Sequence, residues 1–197
     1  MRDLALLGMI SALSMPVLAD SECGTIQDNT DRLACYDMKY KPAVETAEAS
    51  SWIVTQSTSK MDDSKTVVLH SASKEVVRKN FGGADSADLY IRCSEGVTSL
   101  YVILADNFLA DTEDYGSVTY RVDNAKPSKR EMSASTDNKA LGLWSGGTAI
   151  PFIKKMLKAK QITMRVTPYN QSPITVTFPV SGLNEALTPI QKACRWK

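Results

Sequence analysis

One histidine, four cysteines, two glycine doublets and a crowded acidic loop are the features of this 197-residue chain whose types could carry chemistry. His70 is followed directly by Ser71. In a strand, neighbouring side chains point to opposite faces, so these two cannot act together as base and nucleophile. No G-x-S-x-G turn is present, and a lone imidazole leaves no two-His metal site. Asp106, Asp111, Glu113 and Asp114 share one loop, but they lack the alternating ligand positions and the sharp glycine turn of a calcium loop. They read as a solvated acidic segment. Gly82-Gly83 and Gly146-Gly147 match no phosphate-loop spacing and read as turns. The residues therefore point away from an enzyme, and they call for neither a cofactor nor a metal.

Charge narrows the choice further. Lys and Arg number 23 against 22 Asp and Glu, for a formal charge of +1, and aromatic residues make up 7%. The basic stripe and the basic–aromatic interleaving of a nucleic-acid binder are both missing. Three cations do recur in one kind of place. Arg92, Arg121 and Arg165 each take a strand position opposite the apolar residues. If their strands neighbour one another, three guanidinium groups line a sheet surface suited to carboxylates or an acidic protein partner; otherwise they are solvated strand positions.

The cysteines bear on compartment. Met1-Arg2, a mostly apolar Leu4–Leu18 and the small residues Val17 and Ala19 read as a leader cut after Ala19, too short to span a bilayer. The mature chain is then exported, with Cys23, Cys35, Cys93 and Cys194 forming two disulfides. Without a C-x-x-C spacing, and in an oxidising compartment, zinc is disfavoured. Of three pairings, the favoured one joins Cys23 to Cys35 and Cys93 to Cys194: a local staple on an N-terminal arm and a long bridge tying the C-terminus to the body. The local bridge needs the chain to fold back, because a continuous helix would hold the two about 18 Å apart. Gly24 and Asp28-Asn29-Thr30 supply turn residues.

These features need elements to position them. After the leader (1–19), residues 20–40 read as a disulfide-looped arm with a short helix near Asn29–Tyr36, capped by Asp28 or Asn29. Residues 41–50 read as a linker and 51–197 as the body. Strand patterns cover Trp52–Gln56, Thr66–Ser71, Leu89–Cys93, Thr98–Leu104, Tyr115–Asp123, Ile162–Thr167 and Ile174–Val180, and several of them pair as hairpins. Lys126, Lys129 and Arg130 fall in a loop around Pro127. Two helices are expected, Thr148–Lys160 and Leu183–Cys194, the second kinked at Pro189. The expected fold is α+β: an antiparallel, β-rich, sandwich-like domain with two helices, stabilised by disulfides.

The run from Cys23 through Arg32, Leu33, Cys35, Tyr36 and Asp37 resembles the C…RLxCYD arm of several exported proteobacterial proteins. Four further features follow in the same order: Trp52; Met61 to Val67; the Leu89–Cys93 strand; and Tyr120-Arg121-Val122-Asp123. The ending runs from Gly182-Leu183 to Ala193-Cys194-Arg195-Trp196. Together they resemble the type VI secretion-associated family called VasI or TagO, over essentially the whole mature chain. The resemblance implies a soluble periplasmic accessory or adaptor of a contractile secretion apparatus. Such a protein acts by binding a protein partner in the cell envelope, with no catalytic residues to carry over. Related sequences also occur in prophages, which raises a second reading: an autonomous inhibitor or immunity-type protein against a cell-wall hydrolase or effector.

Overall fold

Twelve residues separate Cys23 from Cys35, and the chain folds back between them as the bridge requires. A 3-10 turn at Cys23–Thr25 leads into helix α1 (Asn29–Tyr40), and the two cysteines are bonded with their Cα atoms 5.6 Å apart. Asp28 caps the helix: its Oδ1 accepts from the backbone N–H of Thr30 and of Asp31, at 2.8 and 3.1 Å. Those two donors, Asp31 first, hold the Asp28 carboxyl below its ordinary pKa. The helix runs four residues past the expected Tyr36. The computed structural model describes residues 23–40 and 50–196, which fall in two compact units, the arm and the body. The expected leader, and the expected linker except Ser50, lie outside the described residues.

In the body, alternation of apolar and polar residues dictates the strands. β1 (Ile53–Thr58), β2 (Lys65–Arg78), β3 (Ala84–Ser94) and β4 (Val97–Leu104) form successive antiparallel pairs. β5 (Ser117–Val122) pairs with β6 (Ser128–Glu131), and β7 (Ser133–Ala134) with β8 (Ala140–Leu143). Helix α2 (Gly146–Lys154) precedes the hairpin of β9 (Gln161–Val166) and β10 (Ile174–Pro179), and α3 (Leu183–Ala186) and α4 (Thr188–Ala193) close the chain. The strands make a six-stranded sheet, ordered β1-β2-β3-β4-β8-β7, and a four-stranded sheet, ordered β10-β9-β5-β6.

The inner faces of both sheets share one core. Leu69, Leu89, Ile91, Leu100 and Val102 from the larger sheet, and Val118, Ile162, Met164, Val176 and Phe178 from the smaller, are wholly buried in it. Each such side chain contributes about 1.5–3 kcal/mol by leaving water. Two polar tips are satisfied at its margin: Trp52 Nε1 donates to Val180 O, and Trp196 Nε1 to Thr98 Oγ1. Cys93, on the inner face of β3, is bonded to Cys194 with Cα atoms 5.8 Å apart. Both bridges join the pairs favoured from the sequence.

β2 runs well past its β-branched stretch, because its pairing with β3 resumes at Val76 beyond a bulge between Ala72 and Val76. Ser73 Oγ accepts from Ala87 N–H, replacing a ladder bond that the bulge removes. The bulge also brings β2 to the free edge of β10. There Glu75 Oε2 accepts from Thr177 N–H at 2.6 Å, and Ser71 Oγ donates to Pro179 O at 2.8 Å. An edge that would otherwise offer bare backbone groups is thereby covered.

Several local expectations need correction. Ser128–Glu131, expected as loop, is the edge strand β6, and the short β7 and β8 carry too few residues to show a period of two. α2 starts at Gly146, with Ser145 as its N-cap residue, and ends at Lys154 rather than Lys160. The backbone tightens to i→i+3 bonds at Met156 and Ala159, which turns Met156 into the core. The last helix divides at Leu187, two residues before Pro189, whose ring nitrogen cannot donate to the preceding turn, so the body has three helices rather than two.

Candidate binding face

The register places aromatic and polar residues in rows across the outer face of the larger sheet. His70 lies opposite Tyr90, Tyr90 opposite Tyr101, and Tyr101 opposite Gly142. In the next row Arg92 lies opposite Ser99. Leu100 pairs with Leu143, so the following step of the same register sets Trp144 beside Ser99. Gly142 decides what happens there. A Cβ at Gly142 would lie 2.7 Å from Tyr101 Cβ and 2.9 Å from both Leu100 O and the indole Cζ2 of Trp144. Its absence lets the indole lie over β8 and reach the tyrosine row.

The result is a ladder of four rings across four strands. Ring centroids are 4.8 Å apart for His70–Tyr90, 5.0 Å for Tyr90–Tyr101 and 5.2 Å for Tyr101–Trp144, with planes 20°, 21° and 23° from parallel. Such spacing matches the distance between strands, so the rings stand upright on the sheet and present edges and polar tips outward. Each stacked pair is worth about 0.5–1.5 kcal/mol beyond its buried area. Trp144 Nε1 donates to Ser133 O at 2.8 Å, which fixes the indole. At the opposite end His70 Nε2 meets Asp88 Oδ1 at 2.7 Å, a half-buried pair. Ser71 Oγ is turned inward to Pro179, away from this imidazole, as strand alternation requires.

Arg92 sits against the ladder, with its guanidinium carbon 5.5 Å from the centre of the Tyr101 ring. Its Nε and the Oγ of Ser99 are buried with no hydrogen-bond partner among the described residues. Burial pushes the Tyr101 phenol above its ordinary pKa, opposed by the Arg92 charge. Burial likewise raises Tyr90, helped by the charge of Asp88. Between Arg92, Tyr101, Ile103 and Trp144 on one side and Asp137 and Lys139 on the other is a groove of about 550 Å³. The Asp137 carboxyl is held below its usual pKa by the Ser135 hydroxyl and the Lys139 N–H. Its carboxylate is thus hydrogen-bonded within its own loop, and Lys139 Nζ lies 3.9 Å from Asp106 Oδ1, so Arg92 is the groove cation that keeps a donor without a partner. The groove can take a carboxylate attached to a flat apolar group.

The other two arginines lie elsewhere. Arg121 and Arg165 stand on the outer face of the smaller sheet, diagonal to each other across β5 and β9, where each faces a threonine. Arg165 Nε donates to Thr175 Oγ1 at 3.3 Å. The expected three-guanidinium surface therefore does not form; one arginine sits on one sheet and two on the other. Tyr90, Tyr101, Asp88 and Trp144 were not singled out from the sequence. The available signal was that His70, Tyr90, Arg92 and Tyr101 are all outward positions of consecutive hairpin strands.

The sequence matches the family described as type VI secretion system VasI, EvfG, over residues 22–196. The chain belongs to the VasI family. Among curated proteins, none matches it. A crystal structure of invasion-associated protein B from Bartonella henselae superposes with a TM-score of 0.45 at 10% identity, over 75% of this chain and 96% of that one. In this VasI-family chain no helix among the described residues is long and apolar enough to cross a membrane. All four cysteines are in disulfides, so none offers a thiolate to a metal.

Proposed function

We propose that this VasI-family protein is a periplasmic accessory of a type VI secretion apparatus that works by binding a protein partner, without catalysing a reaction. The aromatic ladder with Arg92 at its flank carries the reading. Aromatic residues and arginine are the types enriched where protein interfaces concentrate their energy. Here they are pre-stacked on rigid strands, so little ordering cost opposes binding. The groove beside them selects an acidic, partly aromatic segment of the partner. Two disulfides and the leader-like residues 1–19 support export to an oxidising compartment.

The test is release of the secretion tube protein into the medium by a deletion strain carrying variant genes. Wild type and Arg121→Glu are expected to restore release, whereas Arg92→Glu and Trp144→Ala, at equal protein levels, are not. Full restoration by both Arg92→Glu and Trp144→Ala would remove this face from function.

A further inference from the structure

We infer that three loops at one end of the body form a second docking surface, one that takes an arginine- or lysine-rich segment of a protein partner. The loops are the β2–β3 hairpin tip (79–83), the β4–β5 connection (105–116) and the β9–β10 connection (167–173). They are knitted together by side chains that serve no other evident purpose. Asn107, only 1% exposed, donates through Nδ2 to the carbonyls of Arg78 and Leu104, both at 2.8 Å. Gln171 Nε2 donates to Asn107 Oδ1 at 3.2 Å and to Asn80 Oδ1 at 3.0 Å, so it joins all three loops. Tyr169 N–H bonds Phe108 O at 3.0 Å, and Asn170 N–H reaches the Tyr115 hydroxyl at 3.4 Å.

The backbone is shaped for this. Ala105 and Asp106 have φ of 46° and 61°, left-handed values that residues with a Cβ seldom adopt, and the bonds of Asn107 hold them there. Gly82 and Gly83, at 86° and 79°, turn the hairpin tip. What these devices present is aromatic. Phe81 is 100% exposed, Phe108 46% and Tyr169 44%. Tyr169 packs against Phe108 and Tyr115, with ring centroids 5.9 and 5.2 Å away. Apolar rings held in water by an organised scaffold mark an interaction site rather than a folding requirement.

Charge identifies the occupant. The three loops hold four carboxylates, Asp106, Asp111, Glu113 and Asp114, and one cation, Lys79, which lies 3.3 Å from the carboxylate of Asp85. Lys139, from the neighbouring turn between β7 and β8, reaches Asp106 at 3.9 Å and leaves the other three carboxylates in surplus. Ring faces and carboxylates both attract guanidinium and ammonium groups, so a basic segment complements both components. This preference is opposite to that of the Arg92 groove. One rigid body would thus carry two surfaces for partners of opposite charge, which is what a bridging protein needs.

The probe is a labelled peptide of alternating arginine and glycine, with a glutamate–glycine peptide as control. Binding to the full mature chain is followed by fluorescence anisotropy at low salt. The arginine peptide is expected to saturate and the glutamate peptide not to bind. Phe81→Ser, whose side chain touches no core, and Glu113→Gln are each expected to weaken binding about tenfold, and Arg121→Ala to leave it unchanged. Equal affinity for wild type and Phe81→Ser would reduce the effect to diffuse charge and overturn the proposal. So would dimerisation in sedimentation, or adhesion to neutral vesicles, that Phe81→Ser abolishes; the occupant would then be a second copy or a membrane.

Discussion

The two outer faces of the body use the same residue type for different ends. On the six-stranded sheet Arg92 lies over a tyrosine in a stacked row, its Nε out of water. On the four-stranded sheet Arg121 and Arg165 are exposed and stand opposite Thr163 and Thr119. A guanidinium set against a ring with its Nε out of water and unpartnered is poised to bind; a solvated one among short hydroxyl side chains exchanges water for water. An arginine's chemistry is therefore set by its cross-strand neighbours, not by its alternation along the strand.

If the larger sheet is the functional platform, loosening it should be separable from loosening the smaller one. The severest way to do so is to remove the bridge behind it. The Cys93–Cys194 link closes a separation of 101 residues. The chain-entropy model gives about 4.7 kcal/mol for such a loop, and measured losses are commonly about 2–5 kcal/mol. Cys93→Ala with Cys194→Ala should lower stability by that amount in urea unfolding. In hydrogen exchange β3 and α4 should lose protection first, with β9 and β10 following only on global unfolding. Equal loss across both sheets would mean that the faces are not energetically distinct.

A milder cut tests the ladder itself. Gly142→Ala places a Cβ 2.9 Å from the carbonyl of Leu100, a backbone atom that cannot swing aside, and against Tyr101 and Trp144. Overpacking of this kind costs about 1–3 kcal/mol. The near-ultraviolet circular dichroism of the stacked rings should fall with it. An unchanged spectrum would show that the indole reaches Tyr101 without the gap at Gly142.

The strands of both faces could be read in the sequence wherever alternation ran for five or more residues. The inward sets Val118 and Tyr120, and Ile162, Met164 and Val166, are where alternation put them. Cysteine count and compartment likewise pointed to the two bridges. What could not be read was lateral: which strands are neighbours depends on β8 crossing to pair with β4, and β8 is four residues long with every residue buried. A strand that short and apolar has no alternation to detect. Trp144 joins the tyrosines only because of it, and Arg92 is parted from Arg121 and Arg165 only because the chain divides into two sheets. Most of the hydrogen bonds that tie the three loops involve side chains, across as many as 91 residues, for which local sequence holds no signal.

A smaller contrast separates Arg92 from Arg121 directly. The stack and the cation–π contact give Arg92→Ala an expected cost of about 0.5–1 kcal/mol, against about 0.5 kcal/mol or less for Arg121→Ala, an exposed strand position. Thermal unfolding of the two variants side by side measures the difference. Equal costs would mean that the ring below Arg92 adds nothing that water does not.

The smallest effect is electrostatic and reads the same contact without disturbing the fold. Burial raises the folded-state pKa of Tyr101, and the Arg92 charge pulls it back. Because the raised group is neutral below its pKa, its contribution to stability is complete below the unfolded tyrosine value of about 10 and is lost as pH climbs through the higher folded value. Removing the guanidinium takes away that opposing charge, so Arg92→Ala should move the tyrosinate absorbance of Tyr101 to still higher pH. Arg121→Ala should leave it where it was, and Tyr101→Phe should delete the step and identify it. A Tyr101 titration indifferent to Arg92 would mean that the guanidinium is screened by water at that distance. The larger sheet would then have lost the feature that distinguishes its arginine from the two on the other face.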